Sequence, residues 1–344
     1  MKLLREAWGA VVERSRPVAW SVSQAEAAPA GGRWLARDEA IMGTAIRVEL
    51  WCDDAEAGED AIDAVMAEMH RIDHAMSPHK VDSELSRINR DAAAGPVRLS
   101  AEMYRLVEHA IAFSTMSGGA FDISYAGAGQ LYDYRMGIRP SDAALAKACG
   151  SVGWRGLQLD PASRSLRFAW PGMRIDLGGF AKGHAVDTST ALLVQRGVRH
   201  AMVSAGGDSR VIGDRRGRPW SVAIRDPRRA GGVVAVLPLE DVAISTSGDY
   251  ERYFERDGLR YHHILDPRTG RSPDRVHSVT VLGADGLTTE ALSKTVFVLG
   301  VERGLALVET LTDVDAVVVD ADGRLHCSSG LLQGNPVAGS ATRQ

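Results

Sequence analysis

Between residues 201 and 245 the chain reads as five short strands, at 201–204, 209–213, 220–224, 233–237 and 242–245, with turn signals between them. Parallel neighbours need a connection of about a dozen residues or more. The gaps here are shorter, so the run points to antiparallel pairing. A regular, doubly wound alternation of strands and helices is excluded.

Helical spacing appears on either side of this run. Residues 59–76 put Ile62, Val65, Met66, Met69 and Ile72 on one face, and 102–116 do the same with Leu106, Val107, Ala110 and Ile111. Further helices are expected at 142–149, at 183–196 with Gly197 as C-cap, and at 289–299 and 303–311. Further strands are expected at 44–51, 157–159, 165–169, 173–176, 276–282 and 315–319, with a histidine-bearing one over 262–265. This is an α+β class, with largely antiparallel sheets and packed helices. The 344 residues contain no linker after residue 40, so one domain over 39–330 is expected. An N-terminal helix and linker (1–38) and a flexible tail (331–344) would flank it.

Composition excludes several partners. The formal charge of −4, with no basic tract, argues against nucleic acid. No stretch approaches the ~20 apolar residues of a transmembrane segment. A secretory signal needs about 7 to 15 uninterrupted apolar residues. Arg5, Glu6, Glu13, Arg14 and Arg16 interrupt that stretch here, so a cytoplasmic location is expected, with the periplasm as the alternative. Cys52, Cys149 and Cys327 form neither a CxxC pair nor a zinc spacing.

Several stretches combine glycine with chemistry-bearing groups. In IDLGGFAKGHAVD (175–187) a Gly pair precedes a helix start and Lys182. That suits phosphate at a helix N-terminus, and equally a tight turn beside a surface lysine. SAGGD (204–208) reads as a β-turn or a phosphate contact, and GGAFD (118–122) offers Phe121 and Asp122 either to a planar heterocycle or to the core. Asp82-Ser-x-Leu is a helix cap or an Asx turn. In HHILDP (262–267) neighbouring strand residues face opposite ways, so only one histidine faces a given site. In TTEALSKTVF (288–297) Glu290 and Lys294 lie four apart, the spacing of an ordinary helical salt bridge.

Taken in order, MGT (42–44), MSPHKVDSELSRIN (76–89), GGAFD, IDLGGFAKGHAVD, SAGGD, TSGDYERYF (246–254), HHILDPRTG (262–270) and EALSKTVFVLG (290–300) resemble the blocks of the ApbE family, the FAD:protein FMN transferases. The resemblance spans roughly residues 40 to 320 and implies a T-fold-like architecture. It implies FAD as substrate and a magnesium ion at its pyrophosphate. A Thr or Ser hydroxyl in the flavinylation motif of an acceptor protein would attack the FMN-side phosphorus, with AMP leaving. The alternatives are a non-catalytic FAD-binding member and a pyrophosphatase giving FMN and AMP.

By position, the resemblance puts flavin-nucleotide contacts on Met42, His79, Ala120, Phe121, Asp122, Asp176, Lys182, Leu265 and Ser293. Metal ligation would fall on Gly179 (backbone carbonyl), Glu290 and Lys294, acid/base help on His263, and neutralisation of pyrophosphate charge in the catalytic step on Lys182. Two departures stand out. The family's D-A-L-S-T reads Glu290-Ala-Leu-Ser-Lys294, and F-D-x-T-x-G-P reads Phe121-Asp-Ile-Ser-Tyr-Ala-Gly. Glutamate can still ligate magnesium, whereas a charged lysine has no lone pair to offer.

Overall fold

The computed structural model describes residues 31–229 and 231–332. In chain order it runs β1 Arg33–Ile41, β2 Thr44–Cys52, α1 Ala55–Met76, α2 Glu84–Asp91, β3 Val97–Arg98 and α3 Ala101–Met116. Then come α4 Ala126–Gly129, α5 Asp142–Cys149, β4 Leu157–Asp160, β5 Ser165–Phe168, α6 Ala181–Gln195, β6 Ala201–Ala205 and β7 Asp208–Ile212. The last third holds β8 Trp220–Arg225, β9 Val233–Leu239, β10 Ala243–Gly248, β11 Tyr253–Arg256, β12 Leu259–His262 and β13 Val276–Gly283. It closes with α7 Gly286–Leu299, α8 Val301–Val308, β14 Asp315–Asp320, β15 Leu325–Cys327 and α9 Ser329–Leu332.

An eight-stranded sheet, ordered β1-β2-β6-β7-β10-β13-β14-β15, forms the centre, and every neighbour in it is antiparallel. The chain therefore pairs as the short gaps demand. The β1–β2 turn is Met42-Gly43, with φ of +54° and +68°. A two-residue hairpin needs such angles, yet methionine seldom adopts them.

Alternation sorts the strand residues between two faces. Ile46, Val48 and Leu50 of β2 and Val203 of β6 are fully buried on one face. There α1 covers β1 and β2, α6 covers β6 and β7, and α7 covers β10 and β13. Trp34, Met202, Val211, Ile244, Leu282 and Val317 point the other way, where the β8–β9 hairpin brings Trp220, Ile224 and Leu237 against them. Each large apolar side chain withdrawn from water in these layers contributes about 1.5–3 kcal/mol. Helix α7 is buried nearly all round, from Leu287 to Phe297, which explains its weak amphipathic pattern.

Four expectations need correction. The boundary at residue 38 falls inside β1, a charged edge strand with too few apolar residues to announce itself. Leu331 is fully buried, so the fold runs into the expected tail. Residues 173–176 form no strand, because Ile175 bonds the side chain of Asn89 through both its N–H and its carbonyl (2.7 and 2.9 Å) instead of a neighbouring strand. Strand β12 ends at His262 instead of running to 265. Residues 1–30 of the expected N-terminal segment and 333–344 of the tail lie outside the described residues. Among the described residues no helix is long and apolar enough to cross a membrane.

Candidate active site

Helices α6 and α7 start side by side. A Cβ on Gly183 would lie 2.1 Å from the carbonyl oxygen of Gly286, so a side chain there would part them. Asp187 fastens the junction, accepting the N–H groups of Gly286 and Leu287 at 2.7 and 2.9 Å. Asp285 caps α7 through the N–H of Thr288 at 2.7 Å. This contact carries Glu290 onto the first turn of α6, where its Oε2 accepts the N–H of Gly183 at 2.7 Å.

A charged cluster grows from Glu290. Its Oε1 accepts from both Lys182 and Lys294, the latter at 2.9 Å. Lys182 also donates to Asp208 on β7 at 2.6 Å, and Asp208 accepts from Ser245 on β10. Ser293 lies 3.1 Å from Ser245 and 2.7 Å from Ser247. Glu290 is wholly buried and Asp208 nearly so. Burial alone would lower the Lys182 pKa, but Asp208 and Glu290 outweigh it and hold the ammonium above its ordinary range. Burial would likewise raise Asp208, but Lys182 and then Lys294 keep it below the usual carboxylate value. Both groups stay charged at neutral pH.

Beside this cluster opens a half-enclosed cleft that is continuous with solvent. One wall is Ala120–Ile123 with Tyr125, from the loop after α3, and a second is Asp176, Gly178 and Gly179, ahead of α6. A third is His263–Leu265 with Pro267, beyond β12, and the fourth is Lys294 and Val298 of α7. Asp122 is pinned by the N–H and hydroxyl of Ser124 (2.8 and 2.7 Å) and by the N–H of Trp154 at 2.8 Å. Burial raises its pKa, and it raises that of Asp176 as well, against the N–H of Gly178 and the charges of His79 and Arg252. Burial, then Lys294, lowers the His263 pKa to about 3, and its Nδ1 has no hydrogen-bond partner.

Eight of the expected site residues line this one cleft: Ala120, Phe121, Asp122, Asp176, Gly179, His263, Leu265 and Lys294. The others stand outside the lining. Met42 sits in the β1–β2 turn, and the exposed His79 acts on Asp176 only through its charge. The buried Ser293 and Glu290, with the half-buried Lys182, form the support behind Lys294. His262 turns into the core, bonded to the carbonyl of Pro273 at 2.8 Å, while His263 faces the cleft. Asp82-Ser-x-Leu proves to be a helix cap, with Ser83 accepting from the N–H of Ser86 at 2.9 Å. The Gly206-Gly207 pair makes the β6–β7 turn and delivers Asp208 to Lys182.

Nothing in the residue pattern pointed to two contributors. Arg252 donates to the carbonyl of Gly43 at 3.1 Å and acts electrostatically on Asp176 and His263. In the sequence it is one arginine among many. Asn89 fixes Ile175, and so the approach to Asp176, through contacts 86 residues apart in the chain.

The sequence model of the ApbE family matches residues 42–318. The FAD:protein FMN transferase of Treponema pallidum is 32% identical over 319 residues, covering 87% of this chain and 88% of that protein. Among solved structures, the ApbE protein of Thermotoga maritima superposes with a TM-score of 0.80 at 30% identity, covering 87% of this chain and 98% of that one. The flavin transferase ApbE of Vibrio cholerae follows with a TM-score of 0.77 at 30% identity, and coverages of 87% and 98%.

Proposed function

This chain belongs to the ApbE family, and from that premise we propose that its cleft binds FAD and transfers the FMN portion to an acceptor protein, as the names of its relatives describe. One observation carries the reading. A single cleft joins apolar and aromatic surface, at Phe121 and Leu265, to an ammonium and an imidazole, at Lys294 and His263. The first pair suits a flavin ring, and the second suits reaction at a phosphate beside it.

In the proposed reaction a Thr or Ser hydroxyl of the acceptor attacks the phosphorus on the FMN side. The new P–O bond forms as the bond to the bridging oxygen breaks. That oxygen leaves with the electron pair as part of AMP, and FMN stays on the acceptor as a phosphoester. The hydroxyl proton needs a base, and His263 presents an unpartnered Nδ1. In the free protein this imidazole is neutral. Pyrophosphate charge nearby raises its proton affinity, towards the range in which a general base works. The cleft walls hold the pyrophosphate for in-line attack.

The family's magnesium ion does not carry over to these residues. The donor set here does not fit it. Both oxygens of Glu290 are engaged, one by Lys182 and Lys294 and the other by the N–H of Gly183. Lys294 carries no lone pair while charged. Among the described residues no group of three or more His, Cys, Asp or Glu is arranged around a metal position. The reaction above therefore uses no step through the metal.

The test is incubation of the protein with FAD and a peptide ending in the family's acceptor motif, Ser/Thr-Gly/Ser-Ala-Thr, with AMP and peptide mass read together. AMP release with a peptide heavier by one FMN unit is expected. AMP release with an unchanged peptide would mean hydrolysis, and FAD binding without AMP would mean a binding protein. Either result overturns the transfer.

A further inference from the structure

We propose that the ammonium of Lys294 is the cation that meets the FAD pyrophosphate, and that nucleotide binding and FMN transfer proceed without a divalent metal. The binding part stands on the cleft alone, and the transfer part rests on the function proposed above.

The two lysines of the cluster are used differently. Lys182 is held between Asp208 and Glu290 and does not line the cleft. Lys294 does line it, with Asp176, Gly179 and His263 on the neighbouring walls. An ammonium has three N–H donors. Glu290 takes one from Lys294 at 2.9 Å, and among the described residues no other hydrogen bond engages that ammonium. Two donors remain for oxygens in the cleft.

Glu290 stands behind as a fixed counter-charge. It is wholly buried, and it orients Lys294 across one helical turn while the N–H of Gly183 and Lys182 fix it in turn. A divalent ion set against Glu290 would have to displace one of the two ammonium groups or crowd both. Four charges already balance there, two ammonium and two carboxylate groups. A pyrophosphate oxygen against Lys294 adds the negative partner that the open side of this ammonium lacks. Donors fixed in advance at a leaving phosphate serve the same purpose as a metal, stabilising charge as the P–O bond breaks. No proton need move to or from Lys294.

The experiment compares FAD affinity, by quenching of flavin fluorescence, in excess EDTA and in excess magnesium. Uptake of Mn²⁺, by electron paramagnetic resonance, is followed in parallel. The proteins are the full chain, Lys294→Gln and the double variant Glu290→Asp with Lys294→Thr. The unmodified chain should bind FAD equally well under both conditions and take up no Mn²⁺ with it. Lys294→Gln should weaken FAD binding about ten- to a hundredfold under both conditions, the range for losing hydrogen bonds to a charged group. The double variant, which restores the family's own residues, should bind FAD well only with magnesium present. Loss of affinity on chelation in the unmodified chain, one equivalent of Mn²⁺ taken up with FAD, or unchanged affinity in Lys294→Gln would each overturn the assignment. If FAD binding proves independent of metal and dependent on Lys294 but no FMN is transferred, the cation assignment stands and the transferase reading fails.

Discussion

His263 shows how one side chain acquires its properties from its surroundings. Its folded pKa, held at about 3 by burial and by Lys294, lies well below the ordinary histidine value of 6.5. Between those values the unfolded chain binds a proton that the folded chain does not. Stability from this group is therefore present above pH 6.5 and is lost as pH falls towards 3. Replacing His263 with Gln should shrink the loss of stability between about pH 7 and pH 4, by roughly 1–2 kcal/mol after allowing for partial exposure. Urea midpoints at the two pH values check it, and parallel curves for the two proteins would contradict it. Part of the pH dependence should remain, because burial also depresses His262. The same substitution should slow transfer about a hundredfold if the imidazole takes the acceptor's proton. Strand alternation foretold that only one histidine of the pair would face the site. It did not say which, because that depends on where β12 ends.

At the scale of elements, the meeting of α6 with α7 decides the site. Gly183 in AKGHA marks the expected helix start, and the structure uses the space beside it for the backbone of α7. Gly183→Ala should push the helices apart at a cost of about 1–3 kcal/mol. It should also weaken FAD binding, because the displaced turn carries Glu290 and so Lys294. Gly95→Ala, with open space around its Cβ and no positive φ, is the matched control and should change stability by no more than about 0.5 kcal/mol. Thermal unfolding of the two variants separates these outcomes, and equal midpoints would sink the packing argument. Most helices here were legible because one face stays apolar. Helix α7 was placed to within three residues although nearly every face of it is covered, and the segment over 173–176 misled because its extended backbone pairs with the amide of Asn89.

For the whole molecule, the central sheet separates stability from chemistry. The face under α1, α6 and α7 supports the cleft, while the opposite face packs against the β8–β9 hairpin. Trp220 anchors that second layer, almost fully buried and edge-on to Trp34 with ring centroids 5.3 Å apart. Trp220→Ala should cost about 3–5 kcal/mol in urea unfolding. It should leave the FAD dissociation constant unchanged under conditions where the variant is folded. Weaker FAD binding by fully folded variant would show that the layers are coupled and remove this division of labour.

The amino-acid sequence alone determined the antiparallel α+β class and the order of the chemistry-bearing blocks, since these depend on local spacing and on runs of residues that stay together; most of the cleft wall followed from the resemblance of those blocks to the ApbE family. Only the tertiary structure decided what Glu290 and Lys294 are. Their helical spacing is local, but Lys182 reaches Glu290 from 108 residues away and Asp208 reaches Lys182 from 26. Burial then turns an ordinary ion pair into the fixed backing of a cleft cation. Such contacts arise when distant elements pack against one another, and no local pattern in the chain encodes them.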